Sequence, residues 1–249
     1  MKQIMEEKAQ NYKNGKINYV TEKVVKDSTI TLTINNEISR SLSAIEDSLE
    51  EFAVGYLFNE NMVKSIDDIE KIEINENHIN VEIDDKLLKT KETVLCSDSS
   101  GGWRSKIKEI EPISSDFQVE ADELINRIEE LKNNAQIWQA TGGTHVAGIV
   151  YKNNFIVKED VSRHVAVDKV IGYGILHNYD LSNSYVIYSG RMPADMVIKI
   201  VRAGIPVLAS NAAPVYSGCE TAKKGNVTLV GFLRGQRFNV YNNKNRIIF

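Results

Sequence analysis

The sequence predicts an α/β protein in two unequal parts. Two observations carry that class. Between Ser184 and Phe232, "SYVIYS", "PADMVIKIVRA", "IPVLAS", "VYSGCETAKK" and "VTLVGF" alternate apolar strands with amphipathic helices. Strand–helix–strand–helix–strand within about 48 residues calls for parallel strands joined by crossover helices. Ahead of them, the first half of the chain reads as strands around a single helix.

Composition sets the bounds. The 249 residues, 42% hydrophobic and 26% charged, suffice for a sizeable core in one large domain or a main domain with a smaller one. A net charge of −4 argues against a non-specific nucleic-acid binder. No stretch reaches the roughly 18 to 20 apolar residues of a membrane span. "MKQIMEEKAQ" is charged and lacks the apolar run of a signal peptide. Cys96 and Cys219 form no disulfide framework, so a reducing cytoplasm is the expected setting.

The elements follow in order. "YVTEKVVKD" and "TITLTIN" have strand composition, with a turn at Lys26 to Ser28. Ser48 and Glu51 match a capping box, and Leu49, Phe52, Ala53, Tyr56 and Leu57 then share one helical face. "KIEINENHINVEID" alternates about Asn75 to Asn77 as a half-exposed hairpin. From about Thr90 to Asp116 no clean period survives, and connections of that length are usually functional or disordered. The helix "DELINRIEELKNN" follows, and a boundary at its start divides residues 1–116, an N-terminal portion, from 117–249, a C-terminal α/β domain. "THVAGIVYKNNFIVKED" reads as two strands joined at Lys152 to Asn154, and "HVAVDKVIGYGILHN" as a helix. In the alternating region Pro193 marks the first turn of a helix, Gly204 its end, and Gly225 the end of the next.

In open sheets of this kind ligands sit beyond the carboxyl ends of the strands. Those ends are Ser189-Gly190-Arg191, Ser210-Asn211-Ala212 and Phe232-Leu233-Arg234-Gly235-Gln236-Arg237. Small residues and guanidinium groups there suit a polar, phosphorylated ligand, because arginine gives planar bidentate contacts to phosphate. The ordinary alternative for Arg234 and Arg237 is a hairpin with its arginines in solvent. Thr141, Gly142 and Gly143 precede His145 in "QATGGTHVAG"; paired glycines there permit either close approach to a ligand or a bend. His145 is either a general base or a structural residue heading a strand. "EDVSRHVAVDK" gathers Glu159, Asp160, Arg163, His164, Asp168 and Lys169, part of it helix capping by Asp160 or Ser162 and part a site at a helix N-terminus.

Cys96, in "VLCSDSSGGW", stands apart. A free cysteine is more often a small buried hydrophobe than a reactive group. Ser97, Asp98, Ser99, Ser100, Gly101 and Gly102 cannot build an apolar pocket, however, and an exposed thiol suits a nucleophile or sulfur carrier. Cys219, opening a short helix, suits packing. The chain carries no G-K-[ST] phosphate loop, no G-x-G-x-x-G dinucleotide loop and no C-x-x-C knuckle. The zinc deaminase signature is also missing, so no zinc is expected.

Five motifs in order resemble one family. "LEEFAVGYLFNENMV", "ATGGTHVAG", "EDVSRHVAVDKVIGYGIL", "SGRMPADMVIKIVRAGIPVLASNAAP" and "LVGFLRGQRFNVY" are similar to those of the FdhD family, the formate dehydrogenase accessory sulfurtransferases. The resemblance runs from about residue 20 to the end. It implies a three-layer α/β/α fold like that of cytidine deaminases, with a smaller N-terminal α+β portion and no zinc, in a cytoplasmic homodimer. It also implies the activity: sulfur is accepted as a persulfide from a cysteine desulfurase. The sulfur then passes to the molybdenum (or tungsten) bis(molybdopterin guanine dinucleotide) cofactor destined for formate dehydrogenase. On this resemblance Cys96 carries the persulfide and the turn Phe232 to Arg237 contacts the cofactor. Ser189, Gly190, Arg191, Thr141, Gly142, Gly143, His145, Asp160, Arg163 and His164 complete the expected binding set. One departure stands out. The second cysteine of the family's C-x-x-C loop falls on Ser99, which rules out a disulfide or relay within the loop. A single thiolate can still accept and yield sulfur; the alternative is a cofactor-binding chaperone that moves none.

Overall fold

The computed structural model describes residues 2–87 and 110–249 in full and the backbone of 93–95 and 103–105. A long antiparallel hairpin opens the chain, β1 (Ile4–Lys13) against β2 (Lys16–Val25). The sequence reading did not anticipate β1: its residues are polar on both faces and nearly all exposed, so no period-2 apolar signal exists to find. β2 pairs with β1, and the turn at Lys26 to Ser28 passes the chain on to a separate sheet.

That sheet holds β3 (Ser28–Ile34), β4 (Ile38–Ala44), β5 (Ile69–Asn75) and β6 (His78–Ile83) in the order β4-β3-β6-β5. Its inner face, Ile30, Leu32, Ile34, Ile79, Val81 and Ile83, packs on α1 (Leu49–Asn59) through Phe52, Ala53, Tyr56 and Leu57. The capping box at the head of α1 does not form. Ser48 sits in the left-handed region (φ 54°, ψ 44°), and its side chain makes no cap bond. Lys158 takes both partners, donating to Ser48 Oγ at 2.7 Å and Glu51 Oε1 at 2.9 Å. The backbone of β7 (Thr93–Leu95) and β8 (Trp103–Ser105) forms a two-stranded ladder in the region where no period was legible.

The C-terminal part is a three-layer α/β/α sandwich. It begins with β9 (Val119–Glu120), α2 (Ala121–Asn134) and the short α3 (Gln136–Thr141). Its six-stranded sheet runs β11-β10-β12-β13-β14-β15. These are β10 (His145–Tyr151), β11 (Asn154–Asp160), β12 (Ser184–Tyr188), β13 (Val207–Ser210), β14 (Thr228–Arg234) and β15 (Arg237–Tyr241). As the alternation requires, β12, β13 and β14 are parallel; the flanking strands are antiparallel. Ala147, Ile149, Val186, Tyr188, Leu208 and Leu229 face α4 (Arg163–Leu176), α5 (Ala194–Arg202) and α6 (Tyr216–Gly225). Val146, Val150, Tyr185, Ile187, Val207, Ala209 and Val230 face α2 through Leu124, Ile128 and Leu131. Alternating side chains thus fill both faces of the sheet. A final strand, β16 (Ile247–Ile248), pairs with β9. One detail differs from the sequence reading: Pro193 is the N-cap of α5 rather than part of its first turn. As expected, α6 ends at Gly225, with left-handed Asn226 (φ 56°) as its C-cap. Gly225 also serves packing: a methyl there would lie 2.3 Å from Val201 Cγ2. Cys219 packs against the apolar core.

The two parts are joined by α1 lying across α4 and by buried charge. Asp168 Oδ1 accepts from Lys199 Nζ at 2.5 Å and Asn59 Nδ2 at 2.6 Å, while Arg202 donates to the Asn59 carbonyl at 2.6 Å. Residues 110–116 lie on the C-terminal part, with Ile113 N–H donating to Gly225 O and Ser115 Oγ to Ser182 O.

Candidate functional site

The carboxyl ends of β12, β13 and β14 are knitted together by their own turns. After Tyr188 the chain stays paired for one residue, Ser189 N–H donating to Val146 O at 2.9 Å and Val146 N–H to Ser189 Oγ at 2.9 Å. Gly190 then presses on the Tyr188 ring, where an added methyl would lie 2.7 Å from Cε2 and 3.1 Å from Arg163 Cδ. Only glycine fits between a buried tyrosine and an arginine stem. The Gly190 carbonyl accepts from Ser210 Oγ at 2.7 Å, and the Arg191 carbonyl accepts from Tyr188 Oη. Met192 exchanges backbone bonds with the next turn, donating to Ala213 O and accepting from Val215 N–H, both at 3.1 Å.

That second turn reaches the third. Phe232 N–H donates to Ala212 O at 2.9 Å, and Arg234 Nε donates to Asn211 O at 2.7 Å. The β14–β15 ladder is bulged between Gly231 and Arg234, and Phe232 within it is left-handed at φ 56°. Left-handed geometry is uncommon for a bulky side chain, and such strain persists where surrounding contacts over-determine it. Leu233 is buried in the core, so the exposed part of the motif is Arg234, Gly235, Gln236 and Arg237. Gly235, at φ 54°, turns the hairpin with open space where a side chain would stand.

The helical residues complete this edge. Arg163 opens α4 beside Gly190, and buried His164 places Nε2 3.5 Å from Asp195 Oδ2 at the first turn of α5. His145 heads β10 with Nδ1 3.4 Å from Ser189 Oγ. The structure therefore brings together Ser189, Gly190, Arg191, Arg163, His164, His145 and the 232–237 turn. Four guanidinium groups at one edge of the sheet can hold an anionic ligand.

Four other expected members, Asp160, Thr141, Gly142 and Gly143, are engaged within the fold. Asp160 is buried, its Oδ2 accepting from Lys169 Nζ at 2.8 Å and Ile45 N–H at 3.0 Å, its Oδ1 from Ser162 N–H at 3.0 Å. Burial pushes its pKa up against the opposing pull of Lys169. It anchors the loop before α1 to the start of α4, and Ser162 itself makes no side-chain cap bond there. Gly142 (φ 67°) ends α3, and a methyl on Gly143 would meet Val25 Cγ1 at 2.7 Å, so the close approach at this glycine pair is to β2. Thr141 Oγ bridges Ile137 O and Gly143 N–H. Glu159 accepts from Ile137 and Trp138 N–H and from Thr144 Oγ, a cap that the sequence reading did not assign.

Tyr188 and Asp195 were not among the expected residues, and Ser210 was named only as a strand end. Tyr188 and Ser210 close apolar strand runs and carry no local signal beyond being the last polar groups of their strands. Cys96 and Ser99 lie outside the described residues. Among the described residues no group of three or more His, Cys, Asp and Glu is arranged to hold a metal ion. No described helix is long and apolar enough to cross a membrane.

Comparison with known proteins agrees with this picture. A sulfur carrier protein FdhD from Methanothermobacter thermautotrophicus is 48% identical over 230 residues, 92% of this chain and 93% of that protein. Protein FdhD from Methanocaldococcus jannaschii is 34% identical, with 92% of each chain covered. A crystal structure of a candidate formate dehydrogenase accessory protein from Desulfotalea psychrophila superposes with a TM-score of 0.82 at 27% identity. That superposition covers 98% of this chain and 99% of the other. The FdhD/NarQ family model matches residues 25–248, beginning where β2 ends and taking in every strand end of the site, and the chain belongs to that family.

Proposed function

We propose that this protein is a sulfur carrier of formate dehydrogenase maturation. In this reading Cys96 accepts sulfur from a cysteine desulfurase and passes it to a molybdenum (or tungsten) bis(molybdopterin guanine dinucleotide), bound as substrate. Loading is nucleophilic displacement at sulfur. The Cys96 thiolate attacks the terminal sulfur of the donor persulfide, a new S–S bond forms, the donor's S–S bond breaks, and the donor cysteine leaves as a thiolate.

The observation that carries the reading is the junction of Arg163, Arg191, Arg234 and Arg237 at one sheet edge, in a chain whose relatives are named sulfur carriers. Arg191, Arg234 and Arg237 are assigned to the phosphates, and His145 and His164 to polar contacts with the pterin. Asp160 acts at one remove, fixing the start of α4 on which Arg163 and His164 stand.

Ser99 supports a second reading, a chaperone that binds the same cofactor and the client enzyme but moves no sulfur. Incubation with a cysteine desulfurase and cysteine, followed by intact-mass measurement, separates the two. Sulfur transfer gives a gain of one sulfur that Cys96→Ser abolishes; an unchanged mass leaves the chaperone. Light scattering on the same sample tests the expected homodimer.

A further inference from the structure

We infer that Ser210 and Tyr188 are positioning residues of the strand-end site, holding the Gly190–Met192 turn so that Arg191 meets an anionic group with both its main-chain N–H and its guanidinium. This rests on the proposed reading of that edge as a guanine nucleotide site, and it assigns the diphosphate to Arg191.

The argument runs through two peptide planes. In a trans peptide the C=O and the following N–H point in opposite directions. The Gly190 carbonyl is drawn toward buried Ser210, which is 0% exposed, by the 2.7 Å bond from Oγ. The Arg191 N–H of the same plane is thereby aimed away from the core, and it has no acceptor among the described residues. Ser210 Oγ is itself fixed by the Ala212 N–H, which donates to it at 3.0 Å.

The next plane is pinned at both ends. The Arg191 carbonyl accepts from Tyr188 Oη, and the Met192 N–H opposite it donates to Ala213 O at 3.1 Å. With both planes fixed, the Arg191 Cα is set between them and its exposed side chain leaves in one direction. Tyr188 is fully buried, and burial pushes its pKa well up, so its hydroxyl remains a donor at every physiological pH. Neither side chain touches the ligand edge. An outward N–H beside a guanidinium is a two-point anion site, and its strength depends on donors held in place before binding.

The test is calorimetric titration of the full chain with GDP and, separately, with guanosine. Ser210→Ala is expected to weaken GDP at least about tenfold while leaving guanosine unchanged, because a misaimed donor is lost only to the charged group. Tyr188→Phe keeps the ring under Gly190 and is expected to weaken GDP similarly. In an Arg191→Ala background Tyr188→Phe should then cost little further, a non-additivity that an independent structural defect does not produce. Equal loss of GDP and guanosine, or additive effects of Tyr188→Phe and Arg191→Ala, overturns the positioning role. So does wild-type affinity in both variants when Arg191→Ala and Arg234→Ala are impaired, an outcome that leaves the site itself standing. Failure of the wild type to bind GDP overturns site and positioning together. If Ser210→Ala does not fold, the Tyr188→Phe cycle decides.

Discussion

Gly55 of α1 and Gly172 of α4 touch backbone to backbone. A methyl on Gly55 would lie 1.9 Å from the Asp168 carbonyl oxygen, and one on Gly172 1.8 Å from that of Glu51. The contact is reciprocal, and neither neighbour can rotate away because both are main chain. Each Gly→Ala substitution should therefore cost about 3 kcal/mol, at the upper end of the usual overpacking range. Urea denaturation of Gly55→Ala and Gly172→Ala checks this. Wild-type midpoints would mean that the helices can separate freely.

The charges beneath that crossing make a second prediction. Lys199 and Asp168 are both fully buried and paired at 2.5 Å. Removing one partner of such a pair leaves a charge with no compensation, so Lys199→Met should cost about 3–5 kcal/mol. Replacing both, as Lys199→Met with Asp168→Leu, should recover much of the loss, since apolar pairs of similar volume often serve as well. Asn59 donates to the same carboxylate, so recovery should improve when Asn59 is replaced too. Thermal melts of the single, double and triple variants are the measurement.

These two features show where the sequence was legible. Gly55 and Gly172 occur within helical patterns read correctly from their apolar spacing, yet nothing local announces that they meet. Parallel β12, β13 and β14 were readable because each strand is apolar throughout and each helix between them has one apolar face. The strand-end arginines followed from that topology alone. Asp160 was placed in the ligand set because charged residues crowd its segment; its true partner, Lys169, is nine residues away and visible only once the strand and helix are packed. Ser48 and Glu51 matched a capping box, but Lys158, more than 100 residues away, claims both. Long-range partners of polar groups are the part that local spacing does not encode.

Acid titration tests the turn before β12. The Asp180 carboxylate accepts from Ser182 Oγ at 2.7 Å, Asn183 Nδ2 at 2.8 Å and Ser182 N–H at 3.1 Å. Led by the Ser182 hydroxyl, these bonds hold it below the usual carboxylate range. A depressed folded pKa contributes stability that is present above the unfolded value, about 3.9, and is lost as pH falls through the folded one. Asp180→Asn should thus be less stable than wild type at neutral pH, with the gap closing below about pH 4. Denaturation midpoints across that range decide; a gap that does not change with pH would exclude the carboxylate as its source.

Phe232 provides the sharpest test of the site's construction. Its φ of 56° places a bulky aromatic in a region that costs a side-chain-bearing residue about 1–2 kcal/mol. Three contacts hold it there: its N–H bond to Ala212 O, the bulge at Gly231 to Arg234, and Gly231 lying against Pro214, where an added methyl would approach Cδ to 2.9 Å. Phe232→Ala and Phe232→Gly both delete the ring, but only glycine relieves the backbone. In an ordinary strand glycine is the less stable of the two by roughly 0.5–1 kcal/mol; here the order should reverse by a similar amount. If alanine proves as stable as glycine, the left-handed backbone at Phe232 carries no strain that glycine relieves.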